Sequence, residues 1–436
     1  MESQSSNLQQ MNPQTKAVKP MLPLADALAR LVTTISQQLQ LCSTAVAIDG
    51  ALDRTLAEDV YSPLPVPTAT NSAMDGYALR FADVTADPNQ QWPVIGQSLA
   101  GHPYQGEVPP GACLRITTGA VVPADLDTVV MQEDTRWLND QRSHLALTRR
   151  PVAGQHIRLC GSELELGQLV LAIGTVLGPL QLGLLATLGI AKIKVYQKIR
   201  VGVLSSGDEL KQPGSILMEG DLFDSNRIML LGVLKRFGCE VIDLGWVADD
   251  PVALRALFTQ AATEVDVIVS SGGVSVGDAD YTRQVLAEIG QMDFWQVAIK
   301  PGKPFAFGWL QCKPTEQTTP VWIFGLPGNP VSAAVTCEQL LIPALQLLSG
   351  QPLKSPKLWV ATATQPLRKK PGRLDMQRVS LQVTADGIQA EPVGTDSSGM
   401  LTSLLLADAL TWLEQPRSDV QAGEEIWVQP KSHWWL

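Results

Sequence analysis

The 436-residue chain is poor in the side chains that build metal centres and stapled folds. Its histidines number four, His102, His144, His156 and His433, and no two stand together. Its six cysteines, Cys42, Cys113, Cys160, Cys239, Cys312 and Cys337, include no CxxC pair. Such spacing excludes a zinc knuckle and reads as reduced, mostly buried thiols rather than a disulfide frame. Positive charge is also scarce: 33 Lys and Arg face 43 Asp and Glu, a formal net charge of −10. A nucleic-acid partner needs a basic face, so DNA and RNA are not expected partners. Leu169–Ala191 is apolar enough to raise a membrane-spanning reading, but Gly174, Gly178, Pro179, Gly183 and Gly189 break it into short pieces. Pro179 and Gly189 are better placed to open and close a short buried helix over 180–188, so no membrane is expected. Residues 1–19 are rich in Gln, Ser and Asn without an apolar leader, which predicts a disordered tail and a cytoplasmic protein.

What is present is core material. Hydrophobic residues make up 45% of the chain and charged ones 17%, and at roughly 150 residues per domain the length implies several cores. The expected fold class is multi-domain α/β. After a tail over 1–20, residues 21–62 with 156–197 form a helical N-terminal domain. Ala25, Leu28, Leu31, Val32, Ile35 and Leu39 repeat there at helical spacing. An inserted β-rich domain over 63–155 begins at Pro63, Pro65 and Pro67, its short segments punctuated by Pro, Gly, Asn and Asp.

From residue 198 strands and helices alternate. Strands are predicted over 199–205, 240–244, 265–270, 294–299 and 321–324. Helices are predicted over 228–237, 251–262, 280–289 and 331–348, with Asp224-Ser225-Asn226 as caps and Gly238 as a stop. This is the pattern of a central, doubly wound, mostly parallel sheet over 198–350, with ligands bound beyond the carboxyl ends of the strands. Residues 351–436 read as a C-terminal β-barrel-like or sandwich domain with a short helix over 400–410.

Glycine loops follow the central strands: Ser205-Ser206-Gly207-Asp208-Glu209, Ser270–Asp278, Lys300-Pro301-Gly302-Lys303-Pro304, and Gly325-Leu326-Pro327-Gly328-Asn329-Pro330. Any one of them is ordinary turn geometry. Together at one sheet edge, with Lys300 and Lys303, they point to a site for an anionic ligand. Backbone N–H groups freed of Cβ crowding approach phosphate oxygens closely. Carboxylates stand in the same places: Glu209, Asp249-Asp250, Asp278 and Asp280, with Asp75 earlier. Oxygen ligands without clustered His or Cys suit Mg2+, although Asp280 is equally placed to cap a helix. Gly273-Val274-Ser275-Val276-Gly277 matches a nucleophile elbow, but only His433 follows it in the order a hydrolase triad needs. A Walker A loop is absent, since Pro304 follows Lys303. Arg368-Lys369-Lys370 with Arg373 and Arg378 is a solvated basic face or, across a cleft, a second phosphate site.

Ser72–Ala78, Arg115–Ala120, Ser206–Leu210, Ser270–Asp280, Lys300–Pro304 and Gly325–Pro330 together resemble the molybdopterin molybdenumtransferase family, which includes the bacterial MoeA proteins and the E domain of gephyrin. The resemblance runs from about Met21 to the C-terminus. It implies a four-domain homodimer that inserts molybdenum from molybdate into adenylylated molybdopterin and releases AMP with a divalent cation, taken as Mg2+. It implies catalytic roles for Asp75, Thr118, Glu209, Asp249, Asp280 and Lys300, with Glu209, Asp249 and Asp280 holding the metal. It implies substrate contacts from Ser206, Gly207, Asp208, Gly272, Gly273, Ser275, Gly277, Lys303, Pro327, Asn329, Arg373 and Ser397, or Ser398 in its place. The resemblance also implies a molybdopterin adenylyltransferase and molybdoenzyme maturation factors as partners. Two departures stand out: Gln296 where some members carry lysine, and Ser162-Glu163 where members often carry Glu-Asp. The competing readings are an adenylyltransferase and a non-catalytic molybdopterin-binding scaffold.

Overall fold

The computed structural model describes residues 20–272, 281–310, 319–395 and 397–435. The chain folds as two compact units: Ala45–Val195, and the segment through Thr44 together with Tyr196–Leu436.

In the first unit a six-stranded sheet runs in the order Thr128–Met131, Gly76–Leu79, Cys113–Ile116, Trp92–Ser98, His144–Leu147, Thr135–Trp137. Alternate side chains point to opposite faces of a strand. Accordingly Ala78, Leu114 and Val129 enter one apolar cluster, while Tyr77, Leu79, Cys113 and Val130 enter another. Gly76 is required by close approach, because a Cβ there would lie 1.9 Å from the Val130 carbonyl oxygen. Residues 45–62 and 156–195 add short strand pairs, such as Val60–Tyr61 with Leu169–Leu171, and the helix Pro179–Thr187. The would-be membrane stretch is therefore a strand, a turn and a nine-residue helix.

In the second unit six strands form one sheet: β1 (Arg200–Ser206), β2 (Glu240–Val247), β3 (Val267–Ser271), β4 (Gly290–Gln296), β5 (Pro304–Leu310) and β6 (Val321–Leu326), in the order β2-β1-β3-β6-β5-β4. The ladders β1–β2, β1–β3 and β3–β6 are parallel; those of β5 with β6 and with β4 are antiparallel. Five strands thus share one direction and β5 opposes them. β5 was not expected from the sequence, because Pro304 and Gly308 punctuate a run that is in fact almost wholly buried. The strand expected over 294–299 ends at Gln296, and only Ile299–Lys300 resumes as a short bridge.

Both faces of the sheet are covered, as the near-continuous apolar strands require. Val201, Val203, Val267, Val269 and Phe324 point to one core, and Leu204, Ile268 and Ile323 to the other. Helix α1 (Leu24–Gln38) buries Leu24, Ala27, Leu31 and Ile35 in the first of these cores. The N-terminal helix, expected beside residues 156–197, thus shares its core with the central sheet. Helix α2 (Ser225–Phe237) opens on the Asp224 side chain, which accepts from the Arg227 amide, and stops at Gly238 with φ 98°. Helix α3 (Pro251–Ala261) opens on Asp250 in the same manner, and α4 is Tyr281–Ile289. The stretch Pro330–Leu348 joins α5 (Pro330–Thr336) and α6 (Ile342–Leu348) through a π-helical turn, Cys337–Leu341. Pro343 has no N–H to give, and the wider turn before it absorbs the break. This stretch is long and apolar enough to cross a membrane, but 72% of its apolar window is buried, as in a core helix.

A closed five-stranded barrel follows: Trp359–Ala363, Gly387–Pro392, Arg378–Thr384, Ala409–Thr411 and Glu425–Pro430, filled by Ala361, Val379, Ala409, Ile426 and Val428. The helix expected over 400–410 stops at Leu406. Asp408 draws the chain into the barrel, its carboxylate accepting from the Leu381 N–H at 2.9 Å and its own N–H donating to Val379 O at 2.9 Å.

Candidate active site at the carboxyl edge of the central sheet

Parallel strands deliver their carboxyl ends to one edge. Ser206, Val247, Ser271 and Leu326 end β1, β2, β3 and β6 there. Gln296 at the end of β4 pairs with Pro304 at the start of β5, and Ala306 with Gly325, so the 297–303 connection crosses the same edge. From β1 the chain turns through α2 to β2 on one side, and from β3 through α4 to β4 on the other. The ends of β1 and β3 therefore flank a topological switch point, where such sheets bind ligands.

The loop after β1 is held from outside. Trp246 Nε1 donates to Gly207 O at 2.7 Å, Lys211 Nζ to Asp208 O at 3.0 Å, and the Leu222 N–H to Glu209 O at 2.8 Å. Lys211 is itself paired with Asp221 at 3.2 Å. With its carbonyls thus engaged, the loop is left with the carboxylates of Asp208 and Glu209. Asp208 Oδ1 accepts the Asp249 N–H at 3.1 Å. Partial burial, then the charges of Asp208 and Glu209, raise the Asp249 carboxyl above its ordinary range. Like charges gathered in this way favour a cation. Among the described residues no three metal-capable side chains close on one point. Carboxylates such as Glu209 and Asp249 suit Mg2+ where phosphate oxygens complete its shell.

Next to this loop the backbones come close. Gly272 has φ 91°, and a Cβ there would stand 2.6 Å from Ser206 O. A Cβ on Gly328 would meet Gly272 Cα at 3.9 Å. Ser206 Oγ lies 3.1 Å from Thr282 Oγ1. Pro327-Gly328-Asn329 leads into α5, and Asn329 Nδ2 donates to Ser398 Oγ at 3.1 Å while the Val331 N–H donates to Ser398 O at 3.0 Å. Ser397 Oγ accepts from the Gly399 N–H at 3.3 Å, so Ser397 and its neighbours reach this edge through Asn329. Gly273, Ser275, Gly277 and Asp280 lie outside the described residues. The nucleophile-elbow motif Gly273–Gly277 therefore also lies outside the described residues.

The basic residues form their own group. Ile299–Lys300 runs parallel to Leu374–Asp375, and Lys300 Nζ lies 3.2 Å from Asp375 Oδ2. Lys369 is buried, and desolvation lowers its ammonium pKa; the charges of Lys300 and Arg373 act in the same direction, opposed by Asp375 and Glu414. Lys369 therefore feels both Lys300 and Arg373, with Asp375 opposing them. Lys303 is exposed beside them in sequence.

In the other unit, Asp75 Oδ1 accepts from the Thr118 N–H at 2.6 Å and from Thr118 Oγ1 at 2.9 Å. These two bonds, the backbone one first, with Arg115 nearby, hold the exposed Asp75 carboxyl below its usual range. The pair sits on strand-end turns, where Ser72 O accepts the Gly119 N–H at 2.8 Å.

Sequence reasoning passed over four contributors. Trp246 and Lys211 brace the acidic loop, Asp375 pairs with Lys300, and Asn226, read only as a helix cap, reaches across two loops. Their partners are distant in sequence, and no local pattern signals them.

A doubly wound sheet with glycine loops, carboxylates and lysines along its carboxyl edge is the architecture of an α/β ligand-binding domain, flanked in sequence by two accessory regions. Comparison with known proteins gives that class its family. Residues 22–189 match the MoeA N-terminal region (domain I and II), 202–347 a probable molybdopterin binding domain, and 360–431 the MoeA C-terminal region (domain IV). A molybdopterin molybdenumtransferase of Haemophilus influenzae is 42% identical over 388 residues, covering 88% of this chain and 93% of that one. One of Nostoc sp. is 33% identical, covering 96% of each. The crystal structure of a molybdopterin biosynthesis moeA protein from Pyrococcus horikoshii superposes with a TM-score of 0.78 at 26% identity, over 94% of this chain and 100% of that one. The chain belongs to the molybdopterin molybdenumtransferase (MoeA) family.

Proposed function

We propose that the chain is a transferase of molybdenum cofactor biosynthesis, moving molybdenum from molybdate into adenylylated molybdopterin with release of AMP. The observation that carries this reading is the gathering, at one sheet edge, of the Ser206–Glu209 loop, Gly272, Pro327–Asn329 and the Lys300–Lys303 connection. Such an edge suits a phosphate-bearing guest, and its family relatives carry the transferase name. An adenylyltransferase alone would not account for matches to the N- and C-terminal MoeA regions.

The roles follow from the chemistry of each group. Backbone N–H groups at Gly207 and Gly328 take the phosphate oxygens, with Ser206 adding a hydroxyl, while Gly272, its own N–H given to Leu326 O, leaves room for the guest. Glu209 and Asp249, with Asp280, would hold Mg2+; bound there, the ion supplies Lewis-acid polarisation of the phosphate link to AMP. Lys300, Lys303 and Arg373 offset charge on the departing phosphate or on molybdate. Asp75, kept ionised by Thr118, orients a donor edge of the pterin. Molybdenum takes soft sulfur ligands, which the substrate's dithiolene provides, so clustered cysteines are not needed.

The same reading makes the protein a cytoplasmic homodimer in which Asp75 and Thr118 of one copy serve the sheet edge of the other. Ile216, Met218, Leu222 and Phe223 leave apolar side chains exposed on the 212–223 excursion, 92% for Ile216 and 77% for Met218, which supports a second copy as their cover. A molybdopterin adenylyltransferase upstream and molybdoenzyme maturation factors downstream are the proposed partners. The decisive experiment is AMP release from adenylylated molybdopterin with molybdate, in wild type and Glu209→Ala. Release by wild type and its loss in the variant support the reading, whereas undiminished release in the variant rejects the metal-binding role. Sedimentation at micromolar concentration tests the dimer.

A further inference from the structure

We infer that Asn226 is a positioning residue that fixes the Gly328 turn beyond β6 against the end of β3, and through it the backbone floor under the phosphate end of the substrate. The inference rests on the function proposed above and adds a residue to it. Asn226 lies in the first turn of α2 and is 7% exposed. Its Nδ2 donates to Ser271 Oγ at 2.9 Å and to Gly328 O at 2.7 Å. Ser271 ends β3 and precedes Gly272; Gly328 stands between Pro327 and Asn329 after β6. One planar amide therefore spans two loops that carry candidate substrate contacts.

Stability does not explain the choice. Asn226 Oδ1 is buried without a hydrogen-bond partner among the described residues. An orphaned acceptor is costly, and asparagine is a weaker helix former than leucine or methionine. The orientation is fixed by the network, because a flipped amide would turn its oxygen toward the Gly328 carbonyl, acceptor against acceptor. What the residue supplies is spacing. The ladder joins β3 to β6 as far as the Gly272 N–H, which donates to Leu326 O at 3.1 Å; beyond it Gly328 has no side chain to hold its place, and a Cβ at Gly272 would collide with Ser206 O. The amide's N–H groups tie the Gly328 carbonyl to the Ser271 side chain, next to that close approach.

The test separates the two bonds. Asn226→Asp keeps the shape: Ser271 can turn its hydroxyl to donate, but Gly328 O now faces an acceptor. Ser271→Ala removes only the other bond. Asn226→Ala removes both without adding charge, and stands in if the aspartate variant fails to fold. Steady-state AMP release and thermal melting are read on each. The expected result is a KM for adenylylated molybdopterin raised about tenfold in both Asn226 variants and less in Ser271→Ala. In Asn226→Ala, kcat and the melting midpoint stay close to wild type, because removing the orphaned oxygen offsets the lost bonds. A folded Asn226→Ala with wild-type KM would overturn the assignment, as would a tenfold fall in kcat at constant KM, which would place the residue at the reacting atoms. Active wild type with unaffected variants sinks this inference alone, while inactive wild type sinks it together with the proposed function.

Discussion

Gly272→Ala is the sharpest perturbation of the sheet edge. Two effects add. The backbone at φ 91° is one that L side chains rarely adopt, costing about 1–2 kcal/mol. In addition the new Cβ would stand 2.6 Å from the carbonyl oxygen of Ser206, where ordinary contact begins at 3.4 Å. The two backbones must therefore part by about 0.8 Å, since neither atom belongs to a side chain that can swing away. Strain of this kind brings the total to roughly 2–4 kcal/mol. The displacement matters more to function than to folding. Misplacement approaching 1 Å costs on the order of 10²-fold in a positioned reaction. We expect kcat/KM for AMP release to fall by roughly 30- to 100-fold while the protein remains folded. Gly423→Ala is the control: its φ of 89° carries the same backbone penalty, but its Cβ meets nothing within 4 Å. It is expected to lose a similar 1–2 kcal/mol in denaturant unfolding and to retain activity. The reasoning is refuted by Gly272→Ala at wild-type kcat/KM, or by equal loss in the control.

Three further predictions follow from the same geometry. Arg227 is 6% exposed and binds Asp224 at 2.8 Å and Asp243 at 2.6 Å, and Asp224 is 2% exposed. Arg227→Met should destabilise by about 3–5 kcal/mol, because it leaves Asp224 buried without its counter-charge. Asp224→Asn in the same chain should restore part of that loss, as read by a urea double-mutant cycle. Asp249 has a raised pKa, so folding favours its protonated form. The stability it contributes is full below the ordinary value of 3.8 and is lost as pH rises through the higher folded value. Asp249→Asn should therefore raise the melting midpoint of chelator-treated protein at neutral pH, with the difference closing in acid, while lowering AMP release. A variant no more stable than wild type at neutral pH would count against the crowded-carboxylate picture. Burial pushes the Cys113 and Cys239 thiols up to about 12 and that of Cys337 well above its usual value, whereas Cys42 and Cys160 are exposed. Of these five, only the exposed pair should react quickly with a thiol reagent in the native protein, as peptide mass mapping would show.

Much of the fold was legible because local signals agreed with the final packing. The capping residue Asp224 and the stop at Gly238 mark boundaries that α2 keeps. The apolar spacing of α1 likewise announces the face it buries. What stayed hidden was set by tertiary partners. β5 carries a proline at its start and a glycine inside, both strand-breaking signals. It holds as a strand because β4 and β6 supply ladders on both sides and its side chains are almost all buried. The core that α1 joins was equally invisible, since amphipathic spacing says that a face is buried but not against what.

The candidate site divides along the same line. Residues that present backbone or charge at a strand end could be picked out singly, because glycine, lysine and carboxylate after an apolar run have few structural uses together. The residues that hold them in place could not. Trp246 reaches Gly207 across 39 positions, Lys300 reaches Asp375 across 75, and Asn226 reaches Gly328 across 102. A binding loop is a local object with a local signature, whereas its brace is whatever side chain the fold happens to bring alongside. Such braces are therefore where a three-dimensional structure adds most to a motif, and where substitutions that spare every motif residue are expected to disturb binding.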